Sequence, residues 1–251
     1  NSLAIGYNAN ATNSYCSAIG NNVYASGEAS IVIGEDSSGS GQYAFCSGKS
    51  CEAIGSYSIV LGKNSVSTVD ASSSFVCGQN CQSSNQYSIS MGKNTISSGI
   101  ASSAFGEGNI ATGNYTFVVG KDCSAVSLGC FMGGEHNYTN SIYSVTTGKD
   151  NTNLGDYSVC IGFENHITAD ASFSSIIGGG ENQIDAGQYS AILGGFQNKV
   201  KVFQSKTLDC TGTGSRQESI NGFWWPENTV GDMNVERFHF DTGVVNDYMY
   251  A

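Results

Sequence analysis

The chain has 251 residues, of which 39% are hydrophobic and 12% charged, so it is apolar enough to fold as one elongated domain or as two ordinary ones. Its formal net charge of −11 argues against a nucleic-acid groove or an anionic membrane patch, because either needs clustered Lys and Arg. No apolar run approaches the roughly 20 residues that a membrane span needs, so no membrane insertion is expected. Gly, Ser and Asn are abundant and Pro occurs once, which favours an all-β chain.

From the first residues to about residue 200, a short apolar strand that leads into Gly recurs at a nearly fixed interval. Ten of the thirteen intervals are 14 residues and three are 16, so the pattern predicts a stack of about fourteen coils. The recurring glycines are Gly6, Gly20, Gly34, Gly48, Gly62, Gly78, Gly92, Gly106, Gly120, Gly134, Gly148, Gly162, Gly178 and Gly194.

Fourteen residues suit one turn of a β-solenoid with two short strands and two tight corners. The glycine is predicted to form one corner, since a residue without Cβ takes positive φ or lets a neighbouring backbone approach closely. The second corner is polar and often contains Asn, as at Asn64 and Asn94, because Asn tolerates left-handed backbone.

The strand before each glycine is apolar on both of its faces. In the third coil, Ile31, Val32 and Ile33 alternate between the two faces, and most other coils repeat this pattern. A thin coil has one interior, which the middle residue fills. The outer residues therefore need a second cover, and sister copies of the chain are the simplest one.

Tyrosine stands five residues before the glycine in eight coils. Such a column predicts either a structural ladder of stacked rings or a strip that binds sugar or protein. These residues are Tyr15, Tyr43, Tyr57, Tyr87, Tyr115, Tyr143, Tyr157 and Tyr189.

Histidine, cysteine and acidic residues are present, but their spacing does not match a catalytic or metal-binding motif. His136, His166 and His239 have no metal-ligand spacing, and nine cysteines, several within apolar strands, predict buried thiols or some pairing between protomers. We assign no catalytic, cofactor-binding or metal-binding residue. The acids are interpreted as solvated corner residues: Glu107, Glu135, Asp150, Asp156 and Glu164. Sequons for glycosylation occur at Asn10, Asn114 and Asn137.

Residues 201–251 lose the repeat and gain aromatic side chains. Trp224 and Trp225 are candidate contacts of a cap or tip, and the alternation around Asp241-Thr242-Gly243 predicts a hairpin. Solenoid ends expose an edge that needs cover, so we interpret this segment as a small β cap or junction that follows a repeat domain over 1–200. Asn1 in place of Met predicts a processed or trimmed start, and the stop in mid-pattern at Ala251 predicts that the native product continues or was cut there.

The strings NSLAIG, ASIVIG, YSIVLG, YSISMG and YSVCIG, repeated every 14 residues, resemble the YadA-type head repeats of trimeric autotransporter adhesins. The resemblance covers about residues 1–200 and implies a left-handed parallel β-roll, a homotrimer packed around a fibre axis, and a role in display or attachment. Similar repeats occur in phage and large-virus fibre proteins. The chain departs from the family in its many cysteines, in three doubled glycines read as longer corners (Gly133, Gly178 and Gly194), and in the absence of a heptad neck after residue 200.

The sequence therefore predicts a non-enzymatic segment of a trimeric extracellular fibre or adhesin, on a cell-surface appendage or a virion. A host-surface glycan or protein is the candidate receptor. No cofactor and no nucleic-acid partner are expected. The alternative is a tail fibre or tailspike segment that binds or degrades host glycans, which needs paired carboxylates in one groove.

Overall fold

The computed structural model describes residues 1–201 and, beyond them, four two- or three-residue strands. Every regular element in these residues is a β-strand, which confirms the predicted all-β class. No helix in the described residues is long and apolar enough to cross a membrane.

Two parallel sheets of fourteen strands each form the body of the molecule. The first sheet contains β1 (Leu3–Tyr7), β3 (Ser17–Asn21), β5 (Ile31–Glu35), β7 (Phe45–Lys49), β9 (Ile59–Lys63), β11 (Phe75–Gln79), β13 (Ile89–Lys93), β15 (Ser103–Glu107), β17 (Phe117–Lys121), β19 (Phe131–Glu135), β21 (Val145–Lys149), β23 (Val159–Phe163), β25 (Ser175–Gly180) and β27 (Ala191–Ile192). The second sheet contains β2 (Asn10–Ala11), β4 (Tyr24–Ala25), β6 (Ser38–Gly39), β8 (Glu52–Ala53), β10 (Val66–Ser67), β12 (Gln82–Ser83), β14 (Ile96–Ser97), β16 (Ile110–Ala111), β18 (Ser124–Ala125), β20 (Tyr138–Thr139), β22 (Thr152–Asn153), β24 (His166–Ile167), β26 (Gln183–Ile184) and β28 (Lys199–Val200).

Each coil contributes one strand to each sheet and pairs with the equivalent strands of the coils before and after it. The pairing is in register over most of the stack, with Gly20 opposite Gly34 and Val32 opposite Cys46. The predicted parallel β-solenoid of about fourteen turns is therefore confirmed. At about 4.8 Å per coil the stack is roughly 60 Å long. Its handedness stays a prediction.

The tight bends of each coil lie at two left-handed positions. One is two residues after the glycine, where Asn64 and Asn94 have φ of 51° and 54° as the sequence predicted, and the other is the tyrosine position, where Tyr57 has φ of 59°. The recurring glycine is not at a bend. It is the fourth residue of the five-residue strand, as Gly62 is in β9.

Close stacking of the backbone makes this glycine necessary inside the strand. From Gly6 to Gly162 the column keeps φ between 112° and 144°, and a Cβ placed on Gly20 would lie 1.9 Å from the carbonyl oxygen of Gly34. Any side chain would push the next coil away. The glycine therefore acts mainly through close backbone approach between coils.

The doubled glycines differ from the prediction that all three lengthen a corner. Gly133 and Gly134 keep the regular register, opposite Val119 and Gly120. At the second pair the register shifts, and Gly178 is the extra residue of a bulge. The stacked glycines of the last two coils are consequently Gly179 and Gly195, one residue later than the predicted Gly178 and Gly194.

The interior of the coil is one side chain thick. A Cβ placed on Gly39 of the second sheet would lie 2.7 Å from Cγ2 of Val32 in the first sheet. Two facing positions therefore have room for only one larger side chain, which explains why Val32 faces Gly39 and, at the equivalent positions of a later coil, Val118 faces Ala125. The last coils differ, because Ile167, Ile176 and Ile184 form their core.

A ladder of buried amides replaces apolar contacts in part of the second half. Asn137, Asn151, Asn165 and Asn182 occupy equivalent positions in successive coils, and each side-chain oxygen accepts the backbone N–H of the next asparagine in the column. The side-chain nitrogen of Asn151 donates to the carbonyl of Gly162, 2.7 Å away. The interior stays polar without leaving these groups unpaired.

The C-terminal strands form a separate antiparallel sheet. It contains β29 (Ser219–Ile220), β30 (Phe223–Trp224), β31 (Phe238–Phe240) and β32 (Tyr248–Met249). β31 and β32 pair antiparallel on either side of the predicted hairpin turn, although Asp241-Thr242-Gly243 itself lies outside the described residues. Trp224 lies in β30 and Trp225 lies outside the described residues. The cap or junction role and the boundary near residue 200 stay predictions.

Candidate interaction surfaces

The outer face of the first sheet carries two adjacent apolar columns, which we call the apolar ribbon. They lie three residues and one residue before the recurring glycine, on either side of the buried middle column. Ile33 is 38% exposed and Phe131 44% exposed, whereas Val32 between the columns is fully buried. The large members of the ribbon are Leu3, Ile5, Ile19, Ile31, Ile33, Phe45, Ile59, Leu61, Phe75, Ile89, Met91, Phe105, Phe117, Val119, Phe131, Val145, Val159, Ile161, Ile177 and Leu193.

The outer face of the second sheet is mainly polar, so the two faces of the stack differ chemically. Each two-residue strand places one side chain inward and one outward, as Ala53 and Glu52 of β8 illustrate. The outward column is Asn10, Tyr24, Ser38, Glu52, Val66, Gln82, Ile96, Ile110, Ser124, Tyr138, Thr152, His166, Gln183 and Lys199. Of these two faces, the one on the first sheet therefore offers the continuous apolar surface.

The tyrosine column is exposed and stacks in two runs. Tyr43 and Tyr57 have ring centroids 5.1 Å apart, and a longer run joins Tyr157 to Phe173 at 5.0 Å. Tyr143 and Tyr189 extend this longer run at its two ends, with centroid distances of 5.6 and 5.1 Å. These geometries fit the predicted structural ladder for part of the column.

Small residues interrupt the column and leave other rings without a stacked neighbour. Tyr115, which is 65% exposed, lies between Ala101 and Gly129 in the adjacent coils. Tyr87 lies between Ser73 and Ala101 in the same way. The ladder alone does not account for these tyrosines, and the alternative of a sugar- or protein-binding strip stays open for them.

A column of alternating charge follows the strand ends of the first sheet. Nζ of Lys93 donates a hydrogen bond to Oε1 of Glu107, 2.7 Å away. This hydrogen bond lowers the pKa of Glu107 and raises the pKa of Lys93. Glu135 lies between Lys121 and Lys149, at 3.9 and 3.7 Å. These exposed pairs stabilise the register of neighbouring coils only modestly.

The other acids singled out from the sequence also lie on the surface of the stack. Asp150 lies 3.3 Å from Nδ1 of His136, and Asp156 accepts a hydrogen bond from the backbone N–H of Ile142. Glu164 is an exposed corner residue with left-handed φ. Most of these acids thus have a basic or backbone partner in a neighbouring coil.

The three histidines lie in separate segments of the chain. His136 lies between Asp122 and Asp150 of the adjacent coils, and His166 is an outward residue of the second sheet whose pKa is lowered by burial. His239 lies in β31. Among the described residues no cluster of three or more His, Cys, Asp or Glu could hold a metal ion.

The sequons divide into two accessible sites and one inaccessible site. Asn114 is exposed and Asn10 is half-buried. Asn137 is 1% exposed, and its side-chain nitrogen donates to the carbonyls of Gly133 and Gly148. A glycan on that nitrogen is incompatible with this coil, so Asn137 is not an acceptor in the folded chain. The sequence missed this because Asn137 belongs to the interior ladder.

Seven of the eight cysteines within residues 1–201 are buried, and all eight are free thiols. Burial raises the pKa of Cys123 and Cys130 and raises that of Cys160 to about 12. These side chains act as small apolar groups in the interior, as the sequence suggested. Cys210 lies outside the described residues.

Comparison with protein families agrees with this coil geometry. The YadA head domain repeat matches twice, at residues 1–22 and 97–122. Both segments contain complete coils in the same register as the rest of the stack. No curated protein matches the chain. The chain therefore contains YadA-type head repeats and resembles the heads of trimeric autotransporter adhesins.

Proposed function

We propose that this chain is a rigid, non-enzymatic segment of a trimeric extracellular fibre or surface adhesin that mediates attachment or display. The observation that carries the proposal is the apolar ribbon on the outer face of the first sheet. A cell-surface or extracellular location follows from the YadA-type repeats. The finer location, on an appendage or a virion fibre, is part of the proposal.

The area of the apolar ribbon favours its burial in a stable protein interface. Soluble monomers rarely expose contiguous apolar patches larger than a few hundred Å². A ribbon two side chains wide along about 60 Å amounts to roughly 600 Å² for each copy. Burial of this apolar area stabilises an assembly by about 25 cal/mol for each Å² removed from water. A second and third copy of the same chain fit best, because identical coils bring the ribbons together at equal heights.

A trimer built on the first sheet leaves the second sheet and the tyrosine column facing outward. These surfaces repeat every coil and are present three times in the assembly. Weak contacts repeated in this way give high overall avidity for a surface that carries many copies of a glycan or a protein. This is the mode of attachment that we propose.

The trimer is tested by light scattering and analytical ultracentrifugation. We expect a mass three times the 26.2 kDa of one chain. The double substitution Ile33→Asp and Val119→Asp places two carboxylates in the ribbon, so we expect it to give a monomer. The matched control is Val66→Asp with Ile110→Asp, which makes the same change of type on the outer face of the second sheet. A monomeric wild-type chain, or dissociation of the control alone, would refute the proposal.

Attachment is tested on immobilised host glycans and matrix proteins with the wild-type chain and the ribbon variant. Avidity predicts that the wild type is retained far longer than the monomeric variant on the same surface. If both forms dissociate equally fast from every surface, the segment serves display or spacing only.

A further inference from the structure

Two cysteines occupy facing positions in the interior of a single coil. Cys46 is the inward residue at the middle of the β7 apolar segment, and Cys51 is the inward residue just before β8. Ser90 and Thr95 hold the equivalent positions three coils later, and their hydroxyl oxygens are 2.7 Å apart. The backbone of one coil therefore places the side chains at these two positions next to each other in the interior.

Both thiols are fully buried in the same core cluster, next to Val32, Val60 and Ala53. A hydrogen bond from the Cys46 sulfhydryl lowers the pKa of Cys51 to about 7, and the same contact raises the pKa of Cys46. The Cys51 sulfur also lies 3.0 Å from the carbonyl oxygen of Gly62. The two thiols are therefore neighbours in the interior of one coil, within reach of each other.

No other coil among residues 1–201 has a thiol at both positions. Cys81 and Cys123 occupy the place of Cys51, but the facing residues are Val76 and Val118. Cys160 occupies the place of Cys46 and faces Asn165. The pair is therefore a local feature of the fourth coil and not a property of the repeat.

We propose that Cys46 and Cys51 form a disulfide bond across the interior of the fourth coil when the chain folds in an oxidising compartment. The proposal rests on the geometry of one coil and not on the trimer. The bond closes a covalent loop of residues 46–51 around the bend that follows Gly48.

Glutathione disulfide is a sufficient oxidant for this bond. The Cys51 thiolate attacks one sulfur of glutathione disulfide, the bond between the two glutathione sulfurs breaks, and one glutathione thiolate leaves. The Cys46 thiol then gives its proton to solvent and attacks the Cys51 sulfur, which releases the second glutathione. Two protein thiols are oxidised and one glutathione disulfide is reduced. Because both sulfurs are buried, the exchange takes place before the neighbouring coils close over them.

Non-reducing peptide mapping tests the bond directly. The full chain is refolded with glutathione disulfide, alkylated in denaturant and digested with trypsin, which cleaves after Lys49 between the two cysteines. We expect peptides 1–49 and 50–63 to migrate as one linked species that separates on reduction. We also expect two of the nine thiols to be protected from alkylation.

Conservative variants identify the partners. Serine occupies the equivalents of both positions in other coils, at Ser90 and Ser65, so Cys46→Ser and Cys51→Ser are compatible with the fold. We expect each of them to abolish the linked species. Cys16→Ser, which removes the other cysteine of peptide 1–49, should leave it intact.

Thermal unfolding gives a second readout with a matched control. Oxidation should raise the Tm of the wild type and of Cys81→Ser by a few degrees, and should leave the Tm of Cys51→Ser unchanged. Free alkylation of all nine thiols after oxidative refolding, or equal linkage of Cys51 to several other cysteines, would overturn the proposal.

Discussion

At the stacked glycines, the absence of a Cβ atom allows the backbones of two neighbouring coils to approach closely. Gly134 has φ of 112°, and a Cβ there would lie 1.9 Å from the carbonyl oxygen of Gly148. Its neighbour Gly133 points outward and has no such contact, because the nearest atom to a Cβ there is 3.6 Å away. Two adjacent glycines therefore have opposite tolerance for a side chain.

We predict that Gly134→Ala destabilises the chain by more than about 3 kcal/mol, because it combines left-handed strain with a backbone clash. Gly133→Ala should stay within about 1 kcal/mol of the wild type. Urea unfolding of the two variants measures the difference. Equal stabilities would show that the coils can separate enough to admit a methyl group.

Single residues also mark where sequence reasoning stops. The glycine column was visible as a period, but Gly178 and Gly179 are indistinguishable in sequence, and only the register shift shows which one stacks. Asn137 reads as a sequon, yet its neighbours in the interior ladder bury it. In both cases the deciding contact comes from the next coil and not from the local segment.

At the scale of one element, the coil places a bulky aromatic residue on left-handed backbone. Such backbone disfavours a residue with a Cβ by about 1 kcal/mol or more. Stacking offsets this for Tyr157, which lies between Tyr143 and Phe173. Tyr115 has no stacked ring on either side within residues 1–201 and yet keeps the same backbone, with φ of 56°.

We predict that Tyr157→Ala costs about 1 to 2 kcal/mol more stability than Tyr115→Ala, because only the first removes stacked pairs. Both variants leave alanine on the same left-handed backbone, so strain cancels in the comparison. Thermal or urea unfolding gives the two values. A double-mutant cycle of Tyr157 with Phe173 provides the control, and a coupling energy near zero would contradict a structural ladder.

At the scale of the whole molecule, the stack has an apolar outer face on the first sheet and a mainly polar outer face on the second sheet. The period of 14 residues was enough to predict the solenoid, because every coil repeats the same strand and the same glycine. The bends were harder to place, since the glycine lies within a strand and the bends lie two residues after it and at the tyrosine. The trimer and the handedness stay predictions, because each depends on packing that one coil does not specify.

We predict that the Tm of the wild-type chain rises with protein concentration, because association stabilises the folded chain by mass action. The variant with Ile33→Asp and Val119→Asp should show a Tm that does not depend on concentration. Scanning calorimetry over a hundredfold dilution measures both. A Tm that does not change with concentration would contradict this coupling of folding to association. The mass measurement described above then shows whether the wild-type chain is a monomer or a trimer whose chains unfold before they separate.

The hydrogen bonds between coils run along the axis of the stack, and this has a mechanical consequence. A pull applied at the two ends loads the bonds of one coil at a time and not those of all the coils together. Each coil that detaches frees about 40 Å of extended chain while the remaining coils keep their pairing. A tethered segment of this kind would lengthen in regular steps under force and so limit the tension that reaches its anchor.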